Sequence, residues 1–154
     1  MPSFMKQWKD FAAVSSMSGN RKPITFPDEG WAPNNMDHPI KITCVHNDIS
    51  TFLPLHYEKG TIISRVRAKF QGIGASDGIK LRIVKRDEST TDTAWTVIGS
   101  EQTWTSTSVI VSTYNPTDFE MLEDFSYAIE ITSKVGVTAV SLFSVGVETN
   151  ARLL

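Results

Sequence analysis

From residue 40 onward, apolar and polar residues alternate with a period of two, the signature of half-buried β-strands. The runs 40–45 and 51–57 come first, with Pro54 marking an edge or a bulge in the second. In 61–70, Ile62, Val66, Ala68 and Phe70 fall on one face, and Arg65, Arg67 and Lys69 on the other. Beyond a glycine-rich turn at 71–78, Ile79, Leu81 and Ile83 alternate with Lys80, Arg82 and Val84. Shorter runs at 95–98 and 108–113 precede the pattern Phe125, Tyr127, Ile129, Ile131, and the last run, 137–148, carries Phe143, Val145 and Val147 on one face. These make about eight strands with turns every eight to twelve residues, which predicts an all-β, jelly-roll-like antiparallel sandwich. No long helical pattern separates the strands, so a parallel α/β sheet is not expected.

Residues 1–39 read differently. Phe4, Trp8 and Phe11 fall at helical spacing, which predicts a short helix within 4–14. The stretch 15–39 then holds so many prolines, glycines and asparagines that only an extended, irregular arm fits. Its aromatic content, including Phe26 and Trp31, is too high for a solvated linker, so the arm packs on its own sandwich or on a neighbouring subunit. The expected organisation is therefore an arm, 1–39, and a sandwich domain, 40–154.

A chain of 154 residues can bury a full core without staples. Its formal charge of −2 gives no overall pull toward nucleic acid or membrane, and neither is expected as a partner. Cys44 is the single cysteine and sits in a strand-like run, where a thiol is a small buried hydrophobe. The first residues lack the apolar core of a secretory signal, and no apolar run reaches membrane-spanning length, so synthesis in a cytoplasm is expected.

The sequence carries no nucleophile elbow, phosphate-binding loop or zinc-protease motif, and neither an enzyme nor a cofactor or metal site is expected. The segment from Gly72 to Gly78 has the density of a phosphate loop but joins two strands, so it reads as a hairpin whose glycines supply positive φ. His46 and His56 would meet near Asp48 if the first two strands paired, and Asp87, Glu88 and Asp92 cluster in a loop. Neither grouping has a recognised ligand order. The same holds for Glu120, Glu123 and Asp124 as a hydrolytic pair. Two features remain. Arg65, Arg67 and Lys69 would share one sheet face with Lys80 and Arg82 if their strands formed a hairpin, giving a basic stripe. Among Trp95, Trp104 and Tyr114, Trp95 reads as core, whereas Trp104 and Tyr114 are the candidates for an exposed sugar-stacking platform.

Residues 61–148 resemble β-sandwich domains of phage virion proteins. The likeness lies in 78–84 (GIKLRIV), 95–100 (WTVIGS), 125–131 (FSYAIEI) and 142–148 (LFSVGVE). The resemblance implies a non-enzymatic virion protein of the decoration, cement or fibre type. The lack of a repetitive shaft points to capsid decoration over receptor binding. It further implies a homo-oligomer located in the virion and bound to the major capsid protein or another virion protein. Phe4, Trp8, Phe11, Phe26, Trp31, Arg65, Arg67, Lys69 and Arg82 are the interface candidates. The alternative is a carbohydrate- or receptor-binding module of a fibre, tail or cell-surface protein.

Overall fold

The alternating runs pair into two antiparallel sheets in the computed structural model, which describes residues 3–19, 30–33, 40–91 and 94–153. In chain order the elements are β1 (Ser3–Ala12), a single helical turn α1 (Ala13–Ser16), β2 (Ser18–Gly19), β3 (Ala32–Pro33), β4 (Ile42–Cys44), β5 (Ser50–Leu55) and β6 (Ile62–Gly72). They continue with β7 (Gly78–Asp87), β8 (Thr96–Thr105), β9 (Ile110–Tyr114), β10 (Phe119–Glu120), β11 (Phe125–Lys134) and β12 (Val140–Leu153). The front sheet has the order β10-β6-β12-β4-β3, with β1 also pairing β12 and β9 also pairing β6; the back sheet is β2-β5-β11-β7-β8. This is the antiparallel jelly-roll sandwich that the alternation predicts.

The core lies between the sheets. The front sheet contributes Ile63, Val66, Ala68, Phe70, Leu142, Val145 and Val147, and the back sheet Leu53, Ile79, Leu81, Ile83, Ile129 and Ile131, all 2 % exposed or less. Phe70 stacks across the sandwich on Trp104, with ring centroids 6.5 Å apart. Phe119 stacks similarly on Tyr127 at 5.9 Å.

Two bulges reset the alternation. The β6–β12 register slips between Glu148 and Thr149, leaving Ser64 as the extra residue on β6. Ile63, not Ile62, therefore joins Val66 inside. A second slip between Leu142 and Ser144 turns Phe143 away from Val145 and Val147, so that its ring lies under the ammonium groups of Lys41 and Lys69 at 5.7 and 5.6 Å.

The helix expected within 4–14 is instead β1, paired residue by residue with β12 from Ser3↔Leu153 to Ala12↔Ser144. Phe4 and Trp8 are four apart, which puts them on one side of a helix and equally on one side of a strand. The edge of β12 offers a ladder of backbone partners that decides between the two. The described part of the expected arm is thus built into its own sandwich. Trp31 is fully buried, and its indole Nε1–H donates to the Ile49 carbonyl at 2.8 Å.

The loop 73–77 is not a hairpin: it carries the chain from β6 in one sheet to β7 in the other. Positive φ among glycines occurs at Gly60 and Gly99, not here. Gly72 and Gly78 are needed for close approach, because a Cβ at either would collide with backbone, the Asp77 carbonyl in one case and the Trp104 carbonyl in the other. Asp77 itself is fully buried. Its Oδ1 accepts from the N–H groups of Gly136 and Val137, and its Oδ2 from those of Gly74, Thr138 and Ala139. Burial alone would raise its pKa, but these backbone donors outweigh burial and hold the carboxyl well below the usual range. One carboxylate thus ties the 73–77 crossover to the loop entering β12.

Candidate functional site

Alternation along β5 sends Thr51, Leu53 and Leu55 inward and Phe52 and Pro54 outward. On β11 the outward Glu130 pairs with Phe52, and the next two outward residues are small: Ala128 pairs with Pro54 on one side and Val84 on the other, and Ser126 pairs with Arg86. Phe52 stands on β5, and Trp95 immediately precedes β8, three strands along the sheet with β11 and β7 between them. Their rings nevertheless stack, with centroids 6.1 Å apart and planes 22° from parallel. The ring pair therefore crosses the outward face of β11 and β7. This explains why Val84, Ala128 and Glu130 are buried on a face that would otherwise meet solvent (0, 2 and 6 % exposed). The guanidinium of Arg86 lies 4.6 Å from the Trp95 ring centroid and is oriented by Glu88, which accepts from its Nε at 2.8 Å.

Beside this ring pair runs an open groove of about 570 Å³. Ser126 and Ala128 lie along it with Phe52, Pro54, Trp95 and Arg86, and His56, Lys59, Glu123 and Asp124 form its polar rim. The rim charges are exposed, and Lys59 pairs with Glu123 at 3.0 Å. The groove offers aromatic and aliphatic surface beside hydrogen-bonding groups, the combination that takes a ligand with both apolar and hydroxylated faces.

The two tryptophans are placed opposite to the sequence expectation. Trp95 is on the outward side, whereas Trp104 is turned inward onto Phe70. Tyr114 also packs against the core, and its hydroxyl accepts from the Ser100 N–H at 2.9 Å. Neither belongs to an open platform. Phe52 and Trp95 are the site residues that sequence reasoning missed. The available signal was β5 itself, apolar on both of its faces.

The basic stripe does not exist as one surface. β6 and β7 lie in different sheets, so Arg65, Arg67 and Lys69 face away from the front sheet, and Lys80 and Arg82 away from the back sheet. Acidic partners meet most of these cations. Arg65 grips the buried Glu148 with two donors and holds its carboxyl below the usual range. Arg67 donates from Nε and Nη2 to Asp10. Lys80 reaches Asp48 at 3.0 Å, and Arg82 sits between Glu130 and Glu101.

Of the aromatic interface candidates, Trp8 lies on the outward face of the front sheet, with the Arg67 and Arg65 guanidiniums 4.0 and 5.1 Å from its ring centroid. Phe11 packs against the core, and buried Trp31 has no surface to offer a partner. Phe4 is on β1, opposite Arg152; Phe26 is outside the described residues. His46 and His56 do not converge, because β4 and β5 belong to different sheets. Asp92 is outside the described residues. Among the described residues no three histidine, cysteine or acidic side chains gather as a metal site, and no helix is long and apolar enough to cross a membrane.

No family model and no curated protein matches the chain. Solved structures do. The chain is similar to the CBM22-1–GH10 modules of Clostridium thermocellum endo-1,4-β-D-xylanase 10B, determined with xylohexaose (TM-score 0.54, 8 % identity, covering 96 % of this chain and 27 % of that one). It is similar to the CBM36-1 domain of a multidomain xylanase from the hindgut metagenome of Trinervitermes trinervoides (TM-score 0.51, 9 % identity, 92 % and 96 % covered). A family two carbohydrate esterase from Cellvibrio japonicus gives a TM-score of 0.50 at 13 % identity, with 97 % of this chain and 36 % of that one covered. The chain thus spans about a third of the esterase and about a quarter of the xylanase structure. None of the three is a phage virion protein. At such identities the likeness is one of fold, a β-sandwich also seen in that CBM36-1 domain.

Proposed function

We propose that this chain is a non-catalytic carbohydrate-binding module whose groove, beside the Phe52–Trp95 ring pair, holds a segment of glycan. The observation that carries this reading is the groove itself: stacked aromatic rings, small residues on the central strand, and a rim of exposed charged and polar groups. Sugar rings present C–H faces to aromatics and hydroxyls to polar side chains, and this site offers both. The occurrence of the same fold in a module determined with xylohexaose adds to it. A hydrolytic role has less support, because Glu123 and Asp124 are exposed on the rim and Glu123 is ion-paired to Lys59. The capsid-cement reading draws part of its grip on a neighbour from residues 1–39, of which the structure describes 3–19 and 30–33. Here β1 pairs with the chain's own β12, and Trp31 fills its own core.

The test is isothermal titration of the full chain against neutral β-1,4-linked oligosaccharides, beginning with xylohexaose. Trp95→Ala should weaken binding by about 30-fold, equivalent to about 2 kcal/mol, as expected for a buried aromatic anchor. Absence of binding by the unaltered protein across the panel, or unchanged affinity in Trp95→Ala, would overturn the proposal.

A further inference from the structure

The unpaired backbone groups of an open sheet edge invite another strand unless something blocks them. Most edges of this sandwich carry a block. β1 bears Lys6, Lys9 and Asp10, and β2, β3 and β10 are two residues long, with Pro33 in β3 and Glu120 in β10. β8, at the edge of the back sheet, is bulged between Ile98 and Gln102, where Gly99 has a φ of 76° and Glu101 adds a charge. β9 is the exception. It pairs with β6 in unbroken register from Val66↔Tyr114 to Phe70↔Ile110, and among the described residues no strand meets its other side. Its sequence, Ile110-Val111-Ser112-Thr113-Tyr114, has no charge, proline or glycine and is rich in β-branched residues.

The bare edge extends through both layers. Residues 102–117 are the longest run of the chain without a charged side chain, and they hold the second half of β8 and all of β9. Two contacts set β8 beneath β9. Phe70, the partner of Ile110, stacks on Trp104, and the Ser100 N–H donates to the Tyr114 hydroxyl. On the outward face of the front sheet, Val111 stands beside Lys69 and Thr113 beside Arg67, and Val109 leads into the strand. Val109 and Val111 are 45 and 54 % exposed. The two cations lie one strand inside the edge. Strand pairing at β9 would leave each about 14 Å, three strand spacings, from its copy.

We propose that β9 pairs antiparallel with β9 of a second copy, joining two sandwiches edge to edge about a two-fold axis normal to the sheets. That axis sets front sheet beside front sheet and back sheet beside back sheet, so the uncharged halves of both β8 strands meet beneath the β9 pair. A single added peptide strand would cover β9 and leave β8 open, whereas a second copy matches the edge in both layers. The same axis turns both back sheets the same way, and the two Phe52–Trp95 grooves then open on one side of the dimer. For the glycan reading above, the consequence is bivalent attachment to a polysaccharide surface. The dimer itself does not depend on that reading.

The experiment is size-exclusion chromatography with light scattering on the full chain, from about 1 to about 200 μM. The unaltered protein should reach twice the mass of one chain within this range, and its melting temperature should rise with concentration. Val111→Lys places like charges across the new strand pair and should raise the dissociation constant at least about 100-fold. Its far-ultraviolet circular dichroism should be unchanged, since the side chain replaced is exposed. Val45→Lys, at a similarly exposed position after β4 on the far side of the front sheet, should dimerise like the unaltered protein. A monomer at every concentration overturns the proposal and leaves β9 to a strand of another protein. A dimer that survives Val111→Lys also overturns it, as does an equal loss in Val45→Lys, because the β9 edge would then not govern association.

Discussion

Replacing Asp77 by asparagine tests the crossover that joins the two sheets. The carboxylate accepts five backbone N–H groups, two at Oδ1 and three at Oδ2, at 2.8 to 3.1 Å. Asparagine keeps one acceptor oxygen and turns an amide donor toward the other set. At least two backbone donors then lose their acceptor, and the remaining bonds lose their charge assistance. At roughly 1–1.5 kcal/mol per lost bond, offset in part by the smaller desolvation of a neutral amide, the expected cost is about 3 kcal/mol. Urea denaturation followed by tryptophan fluorescence measures it. The pH dependence gives an independent reading. The folded pKa is depressed, so this contribution is complete above the unfolded value of 3.8 and is lost as pH falls toward the folded one. Between pH 6 and pH 3 the unaltered protein should lose about 1.2 kcal/mol relative to Asp77→Asn through this group alone. A cost under about 0.5 kcal/mol, or a gap that stays constant from pH 6 to pH 3, would refute the reasoning.

Other substitutions probe separate contacts. Trp104→Ala removes the ring stacked on Phe70 and should cost about 3 kcal/mol by thermal or urea denaturation, while leaving glycan titrations at the groove unchanged. The Tyr57 hydroxyl is buried with no hydrogen-bond partner among the described residues, whereas that of Tyr127 accepts from the Leu122 N–H at 3.0 Å. Tyr57→Phe should therefore leave the melting temperature unchanged or raise it, and Tyr127→Phe should cost about 1 kcal/mol. At Gly146 a Cβ would meet the Asp10 carboxylate and the Arg67 side chain. Gly146→Ala should displace that ion pair at a cost of about 1 kcal/mol, and a double-mutant cycle should show Asp10→Ala adding nothing further.

The fold class was legible because a period of two, repeated in β5, β6, β7 and β11, allows few alternatives once turns recur at sandwich spacing. The inward sets of β7 and β11, Ile79, Leu81 and Ile83 with Tyr127, Ile129 and Ile131, were fixed by alternation alone. The candidate site was not legible, for three physical reasons. Bulges near Ser64 and at Phe143 shift the parity of β6 and β12, and a bulge depends on the partner strand, not on local propensity. At β1, Phe4 and Trp8 satisfy helix and strand spacing equally while Phe11 fits the helix alone, and the open edge of β12 overrides that pattern. Finally, β6 and β7 are adjacent in sequence but belong to different sheets, which splits the basic residues onto opposite faces. The assignment of Trp95 and Trp104 to outside and inside follows from the same fact. A tryptophan can stack on a partner across a sheet or across the core, and only the tertiary arrangement decides where Phe52 and Phe70 stand. The sequence by itself determined that two half-buried sheets would form and which residues favour their interior. The tertiary structure decided which strands became neighbours, and thereby placed Trp95 beside the groove and divided the basic residues of β6 and β7 between two sheets.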